Sequence, residues 1–191
     1  MKLTKEFYQN GDVVEISRQL LGKKLCSNIN DQFTSGIITE TEAYAGVKDK
    51  ASHAFGEKRT RRTEIMYHDG GNSYIYLCYG IHHLFNVVTN IQGIPHAVLI
   101  RAISIEDGID IAVKRRKSKT RSQLNTKGPG TLTQALGITT AFNTLDLNGN
   151  VLWIEDSNRH ISENEIHAGP RIGVNYADED AQLPYRFWIN E

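Results

Sequence analysis

Ser73-Tyr74-Ile75-Tyr76-Leu77-Cys78-Tyr79-Gly80-Ile81-His82-His83-Leu84-Phe85-Asn86-Val87-Val88-Thr89-Asn90 is rich in aromatic and β-branched residues on both sides of Tyr79-Gly80. Such a pattern predicts a β-hairpin with its turn at Tyr79-Gly80. Working outward, Ile38-Thr39-Glu40-Thr41-Glu42-Ala43-Tyr44 alternates, and a strand is expected over about 36–44. Residues 96–103 read as a further strand, apolar on both faces except at Arg101. A helix is expected over 12–22, with Asp12 as N-cap, Glu15 three residues on and Gly22 as its stop. A short strand follows over 24–28 with a turn at 28–31. Helices are predicted over 105–117 and 131–136, and late strands over 151–155, 171–176 and 185–189. There is no internal repeat and no alternation of strand and helix. Hairpins with helices segregated around them predict an α+β chain on a mainly antiparallel sheet. With 191 residues and no visible boundary, residues 1–191 are expected to form a single domain.

Composition is that of an ordinary globular chain, 39% hydrophobic and 23% charged. No apolar run approaches membrane-spanning length, and Met1–Phe7 has no signal-peptide pattern, so a reducing, cytoplasmic setting is expected. Cys26 and Cys78 then read as free thiols. No spacing of Cys or His suggests a metal site. Net charge is zero but segregated: residues 58–127 carry 12 basic against 5 acidic side chains, and residues 128–191 carry 3 against 9. A basic middle segment points to a polyanionic partner.

The strand at 38–44 places Glu40, Glu42 and Tyr44 on one face. Two carboxylates and a ring make a poor core face, because each carboxylate needs a partner or water. They suit catalysis on a flat substrate, with an acid to polarise water and a ring to stack. A solvated strand face is the plain alternative. Tyr74 and Tyr76 share a face of the hairpin, where cross-strand packing would explain them. Tyr79 is expected to be exposed at the tip, like the side chains that proteins push between base steps. Asn86 lies in an apolar strand and needs hydrogen-bond partners. Arg101 is expected to meet a carboxylate or phosphate. The 45–63 segment is long, polar and basic, with His53 and the run Lys58-Arg59-Thr60-Arg61-Arg62, as a phosphate-contacting loop would be. Lys127-Gly128-Pro129-Gly130 opens a helix and offers backbone N–H groups to a phosphate.

Taken in order, these pieces resemble the methylpurine (alkyladenine, 3-methyladenine) DNA glycosylase family. The resemblance runs from Ser17–Lys23 through Glu40–Tyr44, Ser52-His53, Arg59-Thr60, Met66, Tyr74–Gly80, Asn86-Val87, Leu99–Ala102, Gly128–Gly130 and Gln134–Gly137 to Arg171–Val174. It implies a domain around a curved antiparallel sheet with a protruding, DNA-contacting hairpin. It implies hydrolysis of the N-glycosidic bond of alkylated or deaminated purines in double-stranded DNA, leaving an abasic site, by a monomer without metal or cofactor. By position, Glu42 matches the general base. Tyr44, His53 and Tyr76 match the aromatic walls around a flipped base, and Asn86 the residue that crowds guanine's amino group. Tyr79 matches the side chain that fills the vacated stack, and Arg101 the residue that holds the lesion's phosphate. Arg59, Arg62 and Gly128 match DNA-backbone contacts. Two departures stand out: Arg61-Arg62-Thr63 where the family has Pro-Arg-Asn, and Thr131 where it has Lys. No lysine is placed as an amine nucleophile, so no lyase activity is expected. The localisation implied is the bacterial cytoplasm at the nucleoid, or the nucleus in a eukaryote. The alternative is a non-catalytic binder of damaged or distorted DNA, and a second is a hydrolase using Glu40 and Glu42 as an acid–base pair.

Overall fold

The computed structural model describes residues 1–190. A one-turn helix α1 (Lys5–Tyr8) precedes α2 (Val13–Gln19), whose N-cap Asp12 accepts the backbone N–H groups of Val14 and Glu15. Strands β1 (Lys24–Ile29) and β2 (Gln32–Tyr44) form a hairpin whose turn residues Asn30 and Asp31 both have positive φ. Asn and Asp tolerate that region better than other non-glycine residues. A long irregular segment then leads to β3 (Ser73–Cys78), β4 (His82–Thr89) and β5 (His96–Asp107). Helices α3 (Ile109–Arg116) and α4 (Pro129–Leu136) follow, then β6 (Leu152–Glu155), β7 (His167–Gly169) and β8 (Arg186–Trp188).

All eight strands join one sheet in the order β3-β4-β5-β2-β1-β6. On its other edge β2 pairs first with β1 and then, at Glu40–Glu42, with β8, which also pairs β7. Every pairing is antiparallel. The sheet curls into a half-barrel, so the chain is α+β with a curved antiparallel sheet. Tyr79 and Gly80 have φ of 51° and 72°, and with Ile81 they form a three-residue connection across which Cys78 pairs His82.

Period two sorts the strands into two faces. Ile75, Phe85, Val87, Val98 and Ile100 join Ile16, Leu20, Leu132 and Leu136 in the main core, with α2 packed on β2 and α4 on β4 and β5. Fully burying each such side chain contributes about 1.5–3 kcal/mol. The opposite face carries Tyr74, Val88 and Ala97, which pack with Ala54, Ile65, Met66 and Tyr67 of the long segment. A third cluster, Ala51, Val174, Ala177 and Ala181, packs beside Tyr44.

Two elements differ from the sequence expectation. Residues 105–107 continue β5 instead of opening a helix, because Ile105 pairs Gly36 and Asp107 pairs Ser35. The helix starts only after Gly108, at φ 69°. Residues 171–176 are not a strand. Arg171 turns inward to a buried carboxylate, and the segment goes on into 3₁₀ turns within Asn175–Gln182 that are broken by a kink at Ala177-Asp178. Both cysteines are free thiols. No helix among the described residues is long and apolar enough to cross a membrane.

Candidate active site

The end of β2 supplies the central group. Glu40, Glu42 and Tyr44 lie on one face, as alternation predicts, while Thr41 points to the other and bonds Ser17 of α2. Register shifts against β5 flank Glu40. Glu42 is fully buried. Its Oε1 accepts the Ile172 backbone N–H at 2.7 Å and lies 3.3 Å from Arg101 Nη1. Its Oε2 accepts the Tyr44 hydroxyl at 2.8 Å. Arg101, itself 9% exposed, donates from Nε to Glu40 Oε1 at 3.0 Å. Arg186 reaches the same Glu40 oxygen at 3.3 Å.

Burial and charge compete over Glu42. Desolvation pushes its carboxyl above the ordinary carboxylate range. Arg101, the Ile172 N–H and the Tyr44 hydroxyl pull it back without cancelling the rise. Repulsion from Glu40 is the smallest of these influences, so Glu40 acts on the site mainly by holding Arg101. Burial raises the Tyr44 hydroxyl well above its usual value, and Glu42 adds to it. Tyr44 is therefore a permanent donor to the carboxylate.

A buried ion pair fixes this strand end from below. Arg171 donates to both oxygens of Asp49 at 2.5 and 2.8 Å and to the Ala43 carbonyl at 2.9 Å. Its guanidinium lies 4.8 Å from the Tyr44 ring centroid and 5.3 Å from that of Tyr185. Asp49 also accepts the Ala45 N–H. Holding Arg171 in place fixes the next residue, Ile172, whose N–H meets Glu42. Neither Arg171 nor Asp49 stands out in the sequence as a site residue, because a buried pair 122 residues apart leaves no local pattern.

Next to this group lies a cavity of about 40 Å³ lined by Tyr44, Ala51, His53, Met66, Tyr74, Tyr76, Asn86, Ala97 and Tyr176. Four of the residues expected at a base pocket, Tyr44, His53, Tyr76 and Asn86, are thus brought together. His53 Nδ1 is 2.7 Å from the Tyr74 hydroxyl, and its ring packs edge-on to Tyr76 at 4.7 Å between centroids. Burial, helped by the charges of Arg62 and Lys58, lowers His53 to about 4, so the imidazole is neutral at physiological pH. The Tyr74 hydroxyl is raised to about 12, chiefly by burial, and stays protonated. Asn86 is 3% exposed, and its nitrogen donates to the Tyr74 carbonyl at 3.0 Å. Tyr74 therefore does more than cross-strand packing: it braces both His53 and Asn86. The sequence does not single out Tyr176 as a site residue: the resemblance ends at Val174, two residues before it.

Tyr79 is 91% exposed at the hairpin tip, flanked by Leu77 at 45% and Ile81 at 71%. Arg62 lies 5.9 Å from the Tyr76 ring centroid. Arg59 is occupied within the protein: it holds Glu64 through two hydrogen bonds of 2.7 and 2.6 Å and covers the Tyr67 ring. Gly128 caps α4 without a side-chain bond, while Thr131 turns its hydroxyl back onto the Gly128 carbonyl. A Lys at 131 would instead extend a charge from this turn.

The model of the family described as methylpurine-DNA glycosylase matches residues 6–191. A protein of Chlamydia felis (strain Fe/C-56) is 47% identical over 193 residues, covering 98% of this chain and 96% of that protein. One from Bacillus cereus (strain AH820) is 44% identical, covering 98% and 95%. Another from Desulfitobacterium hafniense (strain Y51) is 42% identical, covering 100% and 96%. Each of the three bears the name "Putative 3-methyladenine DNA glycosylase".

Proposed function

This chain belongs to the methylpurine-DNA glycosylase family, and we propose that it is a base-excision repair enzyme, a single glycosylase domain over residues 1–191 acting as a monomer. Its substrate is double-stranded DNA carrying alkylated or deaminated purines: 3-methyladenine, 7-methylguanine, hypoxanthine and ethenoadenine. The observation that carries this reading is one arrangement. A fully buried carboxylate, Glu42, is held by an arginine, a backbone N–H and a tyrosine, beside a cavity walled by aromatic rings.

A stacked base is out of reach in a duplex, so the lesion must be extruded, at a cost of a few kcal/mol that is smallest for a damaged or mispaired base. Tyr79 offsets part of that by filling the vacated stack. Tyr44, His53 and Tyr76 receive the flipped base, each stacking contact contributing roughly 1–3 kcal/mol. Stacking accepts any purine. Rejection of guanine falls to Asn86, whose amide is fixed by the Tyr74 carbonyl and cannot turn aside for an added amino group. A cationic alkylpurine gains further from the ring faces.

In the chemical step water adds to the sugar carbon as the glycosidic bond breaks. The base leaves with that bond's electron pair, and Glu42 accepts the proton that water loses. Glu42 must be ionised to do so, and Arg101, at 3.3 Å, keeps the ionised form accessible in a buried setting. No lysine lines the cavity among the described residues, which supports hydrolysis without a lyase step. Arg62 and Gly128 are assigned to the DNA backbone. Arg59 would have to exchange Glu64 for a phosphate to join them. The setting proposed is the bacterial cytoplasm, at the nucleoid.

The test is a duplex with one hypoxanthine or 3-methyladenine, incubated with the protein and then with alkali. Strand cleavage only after alkali is expected. Binding without base release would instead favour the non-catalytic reading, and cleavage without alkali would contradict the absence of lyase activity.

A further inference from the structure

The cavity beside Glu42, about 40 Å³, has room for a few waters at most and is far below the roughly 300 Å³ at which small-molecule sites begin. A wall must move before a purine fits. Most walls are fixed. Tyr44 is bonded to Glu42 and backed by Arg171. Tyr74 is 2% exposed and tied to His53, and Asn86 is tied to the Tyr74 carbonyl. Met66, Ala51 and Ala97 are buried. Tyr76 packs on His53 and Tyr74 within β3.

Tyr176 differs. It is 65% exposed, and a single hydrogen bond holds its ring, from its hydroxyl to the Ala51 carbonyl at 3.2 Å. Its backbone, by contrast, is anchored. Val174, Ala177 and Ala181 are buried against Ala51 and Tyr44. Lys50 binds Asp178 and Glu179 through its ammonium, at 3.2 and 2.9 Å, and Asp180 through its N–H at 2.8 Å. A fixed backbone carrying a loosely held aromatic ring at the edge of a cavity too small for a purine has the form of a gate.

We propose that Tyr176 is the movable wall of the base pocket: its ring releases the Ala51 carbonyl, swings out to admit a flipped purine and closes over it. Tyr176 is thus a substrate-positioning residue, a further aromatic surface beside Tyr44, His53 and Tyr76. This inference rests on the base-excision reading above. Its consequence is selective. Losing the ring weakens capture of the base and leaves contacts to the DNA backbone unchanged.

Single-turnover release of hypoxanthine from a duplex is measured for the wild type, Tyr176→Ala and Tyr176→Phe, together with binding to a duplex containing a tetrahydrofuran abasic analogue, which has no base to capture. Tyr176→Ala is expected to slow release about 5- to 150-fold, the range for one lost base–aromatic contact, with binding to the abasic analogue as in the wild type. Tyr176→Phe keeps the ring and loses one neutral hydrogen bond, and is expected to recover to within about fivefold of wild type. Wild-type release by Tyr176→Ala overturns the inference. So does a Phe variant as slow as the Ala variant, or an equal loss of binding to the abasic analogue. A wild type inert on hypoxanthine and 3-methyladenine would remove the underlying reading, an outcome distinct from an active wild type with indifferent variants.

Discussion

The end of β2 and the tip of the β3–β4 hairpin are opposites. At Glu42 every polar atom is committed to an arginine, a backbone N–H or a tyrosine, with a buried ion pair behind. At Tyr79 the side chain is 91% exposed, on a turn with left-handed backbone. The difference matches what each would do. A group that takes a proton in the transition state gains from being held before the substrate arrives. A group that enters a duplex has its partner only in the complex, so its packing is absent from the free protein.

Substitutions that break the first region should therefore abolish chemistry or unfold the protein, while those at the second should weaken capture and leave the fold alone. Glu42→Gln has the largest expected effect. It keeps the shape and hydrogen-bonding capacity but cannot take a proton, and single-turnover base release should fall about 10²- to 10⁴-fold while binding to a lesion duplex persists in a gel-shift titration. A Gln variant that excises at the wild-type rate would remove Glu42 from the reaction. Next comes Arg171→Met. It leaves Asp49 buried without its partner, and breaking such a pair costs about 3–5 kcal/mol, to be read by urea unfolding. A loss below about 1 kcal/mol would mean the pair is weakly coupled to the fold. The smallest change is Tyr79→Ala, expected to reduce excision from duplex DNA by about 1–3 kcal/mol of lost stacking with unchanged unfolding. Full duplex activity in that variant would deny the wedge.

The same contrast explains what the sequence disclosed. Hairpins, caps and the two faces of β2 follow from local rules, and Glu40, Glu42 and Tyr44 fall on one side because strand geometry has a fixed period. Tyr79 could be read because an aromatic beside Gly80 at a turn has nowhere to be buried. Arg171 could not. Its partner Asp49 lies 122 residues away, and its own neighbourhood reads as a strand. Residues 105–107 misled for a related reason: Ile105 and Glu106 suit a helix locally, but pairing with Ser35 and Gly36 overrides propensity. Arg59 was legible as a basic loop residue, though not as the partner of Glu64 and Tyr67. Tyr176 is not singled out although the resemblance reaches Val174 just before it, because its neighbours in the cavity come from other parts of the chain.

The central claim is that Glu42 is a buried general base, raised by desolvation and pulled back by Arg101. The most direct test is the pH dependence of single-turnover hypoxanthine release. Activity requires the carboxylate, so it should rise with pH through the carboxyl's own titration, with a midpoint above the ordinary value of 4.5. Replacing Arg101 by Met removes the charge that favours ionisation, and the midpoint should move to higher pH. A wild-type midpoint at or below 4.5, or one that Arg101→Met leaves in place or moves down, would contradict the account.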